Sequence, residues 1–274
     1  MKKIYLCLML LVAMVTACDP TSSSTGEMDE GITAEQLKTR VQLKQNSEGE
    51  NNFTFTTSPT IPIQICNANG DILAYGVSGS LQTLPGDANP KFIIRAINAD
   101  GSVVSYEQSF TVNKYVDVPE IYANIFGADY GTTTWTWDDT ANGVWGNGSW
   151  GSDTAPAWWV VSINDIDEQA KGKNLPNDGK DGWMKFTCNG MKIETSRGES
   201  GTMSINTTPS KEGWDVATVT FSGTIPLMGV LPNNGNARCY TYSIVKADGE
   251  HLVLAAEESS SVGWFLCFKK VANK

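Results

Sequence analysis

A tryptophan-rich stretch in the second half of the chain carries the side chains best suited to chemistry. Six tryptophans fall within the 25 residues from Trp135 to Trp159. The polar residues Asp138, Asp139 and Asn147 lie between them. Flat aromatic rings give a ligand contact area, and a few placed polar groups orient it. A sugar ring has an apolar face of C–H bonds and a rim of hydroxyls, which this mixture complements. The stretch therefore predicts a carbohydrate site.

Glycines single out two of these tryptophans. Gly146, Gly148 and Gly151 surround Trp145 and Trp150. We expect a loop this rich in glycine to leave both rings outside regular packing, because it has few side chains of its own to bury them. Trp145 and Trp150 are therefore the leading candidates for sugar platforms.

The adjacent pair Trp158 and Trp159 supplies a third candidate. Neighbouring residues on a strand point to opposite faces, so the two rings cannot share an environment. Trp159 is in register with Val161 and Ile163, which we expect to point inward. Trp158 remains as the predicted platform.

The alternative for the whole stretch is a structural one. Its tryptophans then fold down as a cap that seals the core of the domain. Trp135 and Trp137, two apart on one predicted strand, share a face and are expected in the core in either case.

Asp138, Asp139 and Asn147 are predicted to form hydrogen bonds with sugar hydroxyls. Clustered oxygens also suit calcium, so a structural calcium ion is a second possible ligand for the two acids together with Asn142. We expect no other cofactor.

Catalysis has little support in the sequence. The chain has one histidine, His251, placed in a strand after a tight turn and expected at the surface. This excludes zinc sites built on several histidines and disfavours Ser-His-Asp and Cys-His chemistry. A glycosidase needs only two carboxylates, and 30 acidic residues cannot be screened for the right separation without a fold. An enzyme therefore stays an alternative.

The elements that position these residues are predicted to be strands. Short runs of alternating apolar residues, separated by Gly, Asn, Asp and Pro, indicate an all-β protein. Turns such as Asn69-Gly70 and Asp100-Gly101 favour hairpins. Closely spaced strands predict an Ig-like sandwich for residues 35–114. The strands predicted there are 40–44, 52–57, 61–66, 72–75, 91–97 and 103–112.

A change of composition near Pro119 predicts a second domain at residues 115–274. Eight to ten strands in such a length favour a jelly-roll sandwich. The strands predicted there are 132–137, 157–163, 182–188, 191–196, 201–206, 217–222, 240–245, 251–255 and 262–269.

The first residues predict export. Lys2 and Lys3 precede an apolar run from Ile4 to Val15, the pattern of a signal peptide over residues 1–17. The run is shorter than the roughly 20 residues that span a bilayer. The sequence Val15-Thr16-Ala17-Cys18 resembles the bacterial lipobox, which implies lipid attachment at Cys18. Residues 18–34 are rich in Ser, Thr and acids and are expected to form a flexible tether.

Charge and cysteine content set further limits. The net charge is −10, and loss of residues 1–17 leaves 18 basic against 30 acidic residues, or −12. That sign disfavours nucleic acid and anionic lipid surfaces as partners. Four further cysteines allow disulfides in an oxidising compartment, and burial as free thiols is the alternative. They are Cys66, Cys188, Cys239 and Cys267.

A family resemblance joins these features. The segment 98–105, followed by Phe110-Thr111-Val112, resembles the last hairpin of PKD-like modules in surface lipoproteins of Bacteroidetes. With the lipobox and the tryptophan-rich domain, the chain resembles outer-membrane glycan-binding lipoproteins of starch-utilisation-type polysaccharide systems. The resemblance implies an outward-facing anchor, an Ig-like spacer, a transporter complex as partner and non-covalent glycan capture by Trp145, Trp150 and Trp158. A surface glycoside hydrolase or lyase, and an adhesion lipoprotein that binds protein, are the alternatives.

Overall fold

The computed structural model describes residues 31–272, and most of its regular structure is β. The predicted signal peptide, Cys18 and most of the predicted tether lie outside the described residues. The all-β prediction is confirmed, with three short helices of seven residues each in the described part.

The first half holds seven strands and one helix. They are α1 (Ala34–Arg40), β1 (Val41–Gln45), β2 (Asn52–Thr57), β3 (Ile63–Cys66), β4 (Ile72–Gly76), β5 (Ser78–Gln82), β6 (Lys91–Ile97) and β7 (Val103–Ser109). Helix α1 begins at a capping box, in which Thr33 accepts from the Gln36 amide and the Gln36 side chain accepts from the Thr33 amide. The strands form a three-stranded sheet, β1-β2-β5, and a four-stranded sheet, β4-β3-β6-β7.

A core of apolar side chains lies between these two sheets. Phe53 of β2 contacts Phe92 of β6 and Phe110 edge to face, with ring centroids 5.0 Å apart in both pairs. Inward positions alternate along β1, β2, β6 and β7, and in β6 the residues Phe92, Ile94 and Ala96 are buried. Period-two alternation is therefore what builds this half.

The second half holds the remaining elements. They are α2 (Glu120–Phe126), β8 (Thr132–Trp137), β9 (Trp145–Ser149), β10 (Trp159–Val161), α3 (Ile166–Gly172), β11 (Trp183–Thr187), β12 (Lys192–Thr195), β13 (Ser200–Asn206), β14 (Ala217–Ser222), β15 (Val230–Leu231), β16 (Ala237–Arg238), β17 (Thr241–Ala247), β18 (His251–Ser259) and β19 (Val262–Lys270). Two short 3-10 turns lie at Pro176–Asp178 and Pro232–Asn234.

Eight of these strands close into an antiparallel barrel. Their order is β8-β11-β12-β13-β14-β17-β18-β19, and β19 pairs back onto β8 with Phe268 opposite Trp137. The predicted jelly-roll sandwich has two sheets, whereas this meander has one sheet that closes on itself. Closure depends on the pairing between the first and last strands, which strand count alone does not reveal.

Side chains fill the barrel interior. Trp135 and Trp137 of β8, Phe186 of β11, Tyr242 of β17 and Phe268 of β19 are all buried there. Helix α2 contacts one region of the barrel, where the Asn124 side chain donates to the Ala247 carbonyl. Because these large side chains fill the interior, we expect a ligand of this domain to bind outside the barrel.

Candidate functional site

Two strands extend the barrel wall beyond its point of closure. β9 pairs with the first part of β19, with Trp145 opposite Leu266, and β10 pairs with β9, with Trp159 opposite Asn147. The tryptophan-rich segment is therefore a sheet extension with two faces. Its inner face continues the interior of the barrel, and its outer face continues the outside.

Trp145 lies on the inner face and is fully buried, so the prediction that it is an exposed platform is wrong. Its ring packs on Trp264 at 4.8 Å and on Trp159 at 5.5 Å between centroids. The physical reason is Gly146, at φ +152°, where an added Cβ would lie 1.9 Å from the Trp159 carbonyl oxygen. The glycine brings β10 close against β9, and the two strands bury the ring instead of leaving it in a loop.

The rings of Trp158 and Trp159 are both partly in solvent. Trp158 is 59% exposed, as expected for a platform, and Trp159 is 41% exposed, although it was expected to point inward. Trp159 does face Trp145 and Trp264, but β10 is the edge strand and only three residues long, so one side of the ring stays open.

The predicted polar readers are held by the fold. Asp138 is buried, and its Oδ1 accepts from the Thr140 amide at 3.0 Å and hydroxyl at 2.6 Å. The Asn147 side chain accepts from the Trp159 amide at 3.0 Å, which fixes β10 against β9. Asp139 is exposed and pairs with Lys269. Asp138 and Asn147 thus have a structural role within the tryptophan-rich segment, which the sequence prediction did not include.

A second apolar cluster covers the outside of β17, β18 and β19. Its buried members are Trp214, Val245, Val253, Ala255, Phe265 and Cys267. Trp150 packs on this cluster, with its ring edge to face against Trp214 at 4.6 Å. The Trp214 indole donates to the Asp153 carbonyl at 2.7 Å, so the segment after β9 is tied to the loop before β14.

A cleft of about 540 Å³ lies beside Trp150 on this outer face. Its floor is formed by Thr218, Thr241, Ser243 and Glu257 from three adjacent strands, and Trp150 forms one wall. We call this the Trp150 cleft; Ser210, Lys211, Cys239 and Tyr242 complete its lining. Its volume falls within the range of about 300 to 1,000 Å³ typical of small-molecule sites.

Gly263 allows the Trp150 ring to reach this position. A Cβ added to Gly263 would lie 3.0 Å from the Trp150 ring, so the ring lies directly over the glycine backbone. Gly263 is the cross-strand partner of Glu257. The aromatic wall therefore stands next to a carboxylate, an arrangement that sequence reasoning about Trp150 alone did not find.

A hydrogen-bond network supports the floor of the Trp150 cleft. Asp215, 4% exposed, accepts from the Ser210 amide at 3.1 Å and hydroxyl at 2.6 Å, and from the Lys211 amide at 2.9 Å. The Ser210 hydroxyl lies 2.9 Å from the Ser243 hydroxyl. Burial acts to raise the pKa of Asp215, but these hydrogen bonds outweigh it and hold the pKa below its ordinary value.

The described residues offer little for metal or disulfide chemistry. Within residues 31–272, no group of three or more His, Cys, Asp or Glu side chains is placed to hold a metal ion. All four cysteines in that range are free thiols. Burial raises the pKa of Cys188 and of Cys267 to about 12 in each case, which keeps both protonated and unreactive.

Comparison with known proteins gives no functional relative. No family model and no curated protein matches the chain. Among solved structures, CopC from Methylosinus trichosporium OB3b matches with 12% identity over 29% of this chain and 98% of that chain, at a TM-score of 0.18. At that score the likeness carries no argument about fold or ligand. No helix in the described part is both long and apolar enough to cross a membrane.

Proposed function

We propose that this protein is a lipid-anchored, cell-surface protein that binds oligo- or polysaccharide without covalent chemistry. The Trp150 cleft is the observation that carries the proposal. It joins an aromatic wall to a floor of short hydroxyl side chains, and this combination complements a sugar ring. Trp158, exposed on the same tryptophan-rich segment, is a second platform in this proposal.

The position of the cleft supports binding over transport through the barrel. Large side chains fill the interior, whereas the Trp150 cleft opens on the outside of the wall. An open groove on a rigid sheet accepts part of a long chain, since the rest of the polymer can continue into solvent.

The remaining parts of the proposal concern the cellular location of the protein and the role of its first half as a spacer. Lipid attachment at Cys18 would place the barrel on the outer membrane beside a transporter complex. The two sheets of the first half would form an Ig-like, PKD-like spacer between the lipid and the barrel. Seven strands in two facing sheets support this reading.

A glycan panel tests the proposal. The full chain is run in affinity gels that contain starch, xylan, laminarin or galactan, and each polymer is also assayed for new reducing ends after incubation. Retardation without new ends supports binding, and new ends support the hydrolase or lyase alternative. No response to any polymer would leave the adhesion alternative.

Matched variants locate the site. Trp150→Ala should abolish retardation, while Tyr75→Ala, which removes a 69% exposed aromatic ring from the first half, should leave it unchanged. An equal loss of retardation in both variants would mean that the gel reports nonspecific binding by exposed aromatic rings and not binding at the Trp150 cleft.

A further inference from the structure

The floor of the Trp150 cleft has a fixed hydrogen-bond polarity. Asp215 is ionised at neutral pH, and an ionised carboxylate only accepts hydrogen bonds. The one proton of the Ser210 hydroxyl therefore points to Asp215, at 2.6 Å. The 2.9 Å contact between Ser210 and Ser243 must then use the Ser243 proton. What remains on the Ser243 oxygen is acceptor capacity alone.

Glu257 adds a second acceptor to this floor. It lines the Trp150 cleft beside the aromatic wall, and its cross-strand neighbour is a glycine without a side chain to screen it. No ion pair to Glu257 forms among residues 31–272. A ligand that lies against Trp150 therefore meets a carboxylate with free lone pairs.

The one cation of the cleft is partly committed. The Lys211 ammonium donates to the Gly151 carbonyl, on the segment that carries Trp150. The described residues that line or lie beneath the cleft carry one positive charge, on Lys211, and two negative charges, on Asp215 and Glu257. The local charge is thus negative, in a chain whose net charge is −10.

From this geometry we infer that the Trp150 cleft selects neutral glycans and rejects chains of uronic acids. Hydroxyl groups of a neutral sugar donate to Ser243 and Glu257 while the apolar face of the ring lies on Trp150. A uronate brings a carboxylate that has no proton to donate and is repelled by Glu257. The inference rests on the proposed glycan binding and names the class of glycan.

Pairs of polymers that share one backbone, one charged and the other neutral, test this inference. Polygalacturonate, alginate and hyaluronan are each compared with their carboxyl-reduced forms, beside the neutral panel, by affinity electrophoresis of the full chain at low salt. We expect binders only among the neutral and reduced polymers. A uronate polymer that binds tenfold more tightly than its reduced form would overturn the inference and leave glycan binding standing. If no polymer binds, both the selectivity for neutral glycans and the proposed glycan binding are overturned.

Two variants test the residues. Ser243→Ala should weaken binding of the neutral ligand about tenfold, because it removes the floor acceptor. Ser204→Ala, the same change at an exposed position on β13 outside the cleft, is the control and should have no effect. Glu257→Gln should narrow the difference between charged and reduced polymers about tenfold at low salt. If Ser243→Ala binds normally while Trp150→Ala does not bind, the ligand makes no important hydrogen bond to Ser243 and the inference fails.

Discussion

Trp145 and Trp150 are five residues apart in the chain and lie on opposite faces of one sheet extension. Trp145 points inward, where it packs on Trp264 in the continuous core of the barrel. Trp150 lies outside, over Gly263 and against Trp214, where part of its ring stays in contact with solvent. The sequence context of the two is nearly the same, since glycines flank both.

The difference teaches that a glycine close to a tryptophan ring, whether in sequence or in space, can act in two ways. At Gly146 the missing side chain lets a neighbouring strand approach and bury a ring. At Gly263 it makes room for the Trp150 ring to lie close to the backbone at the edge of a cleft. The first use stabilises the fold, and the second prepares a surface. The predictions below separate these two roles.

The largest expected effect is on stability, from Trp145→Ala. Removing a fully buried tryptophan should lower the free energy of unfolding by about 3 to 5 kcal/mol. Trp145→Phe should lower the free energy of unfolding by less than the lost side-chain volume suggests. The Trp145 indole N–H is buried without a hydrogen-bond partner among the described residues, and phenylalanine removes this unpaired donor. Denaturant unfolding measures both. A loss under about 1 kcal/mol for the alanine variant would contradict the inner placement of the ring.

The next effect is on binding, from Trp150→Ala. We expect a ten- to hundredfold loss of glycan affinity, about 1.4 to 2.8 kcal/mol, because the aromatic wall of the cleft is removed. The variant should still fold, since the ring lies outside the barrel. Calorimetric titration measures the affinity, and a thermal melt serves as the control for folding. An unfolded Trp150→Ala would mean that the outer cluster is as structural as the inner one.

Sequence patterns predicted the strands better than the faces. Alternation located β8 and β14 with their bounds, because their apolar positions recur every second residue. The patterns missed β9, since the glycines of Trp145–Ser149 resemble a loop and only the neighbouring strands make that segment extended. Helices α1, α2 and α3 were also missed, as seven residues are too few to show a helical period.

The site was harder to predict than the fold. Trp150 was chosen from its local sequence, but its partners come from distant parts of the chain: Lys211, Ser243 and Glu257 meet it only because β14, β17 and β18 are neighbours. Asp138 and Asn147 were assigned to the ligand because they are close in sequence to the tryptophans. An oxygen of each side chain accepts hydrogen bonds within the segment, and no pattern in a single sequence reveals that.

A smaller effect tests whether the stability of the barrel and binding in the Trp150 cleft are independent. Glu199 lies in a network with Arg197, Arg238 and Thr224, remote in sequence from Trp150. Its hydrogen bond from Arg238 is the main cause that lowers the pKa of Glu199 to about 2. A lowered pKa contributes stability above the ordinary value of 4.5, and this contribution is lost as the pH falls towards 2.

Glu199→Gln should therefore be less stable than the natural chain at pH 7, by about 1 kcal/mol after allowing for solvent screening of this partly exposed group. The difference should disappear as the pH falls towards 2. Urea unfolding at several pH values measures it. Glycan affinity at pH 7 should be unchanged, because the Trp150 cleft does not include Glu199. A stability difference that persists at the lowest pH would show that the charge of Glu199 is not its source.

The smallest effect on stability is expected from Trp158→Ala. Its ring is 59% exposed and lies just before the edge strand β10, so its removal should change the free energy of unfolding by less than about 0.5 kcal/mol. An exposed ring that contributes so little to the fold is available to a ligand, and we expect about a threefold loss of affinity for a polymer. Trp159→Ala is the matched comparison, because Trp159 also packs on Trp145 and Trp264 and should cost more stability. If Trp158→Ala destabilises the protein more than Trp159→Ala does, exposure has not separated the binding rings from the structural ones, and the contrast between the two faces fails at this edge.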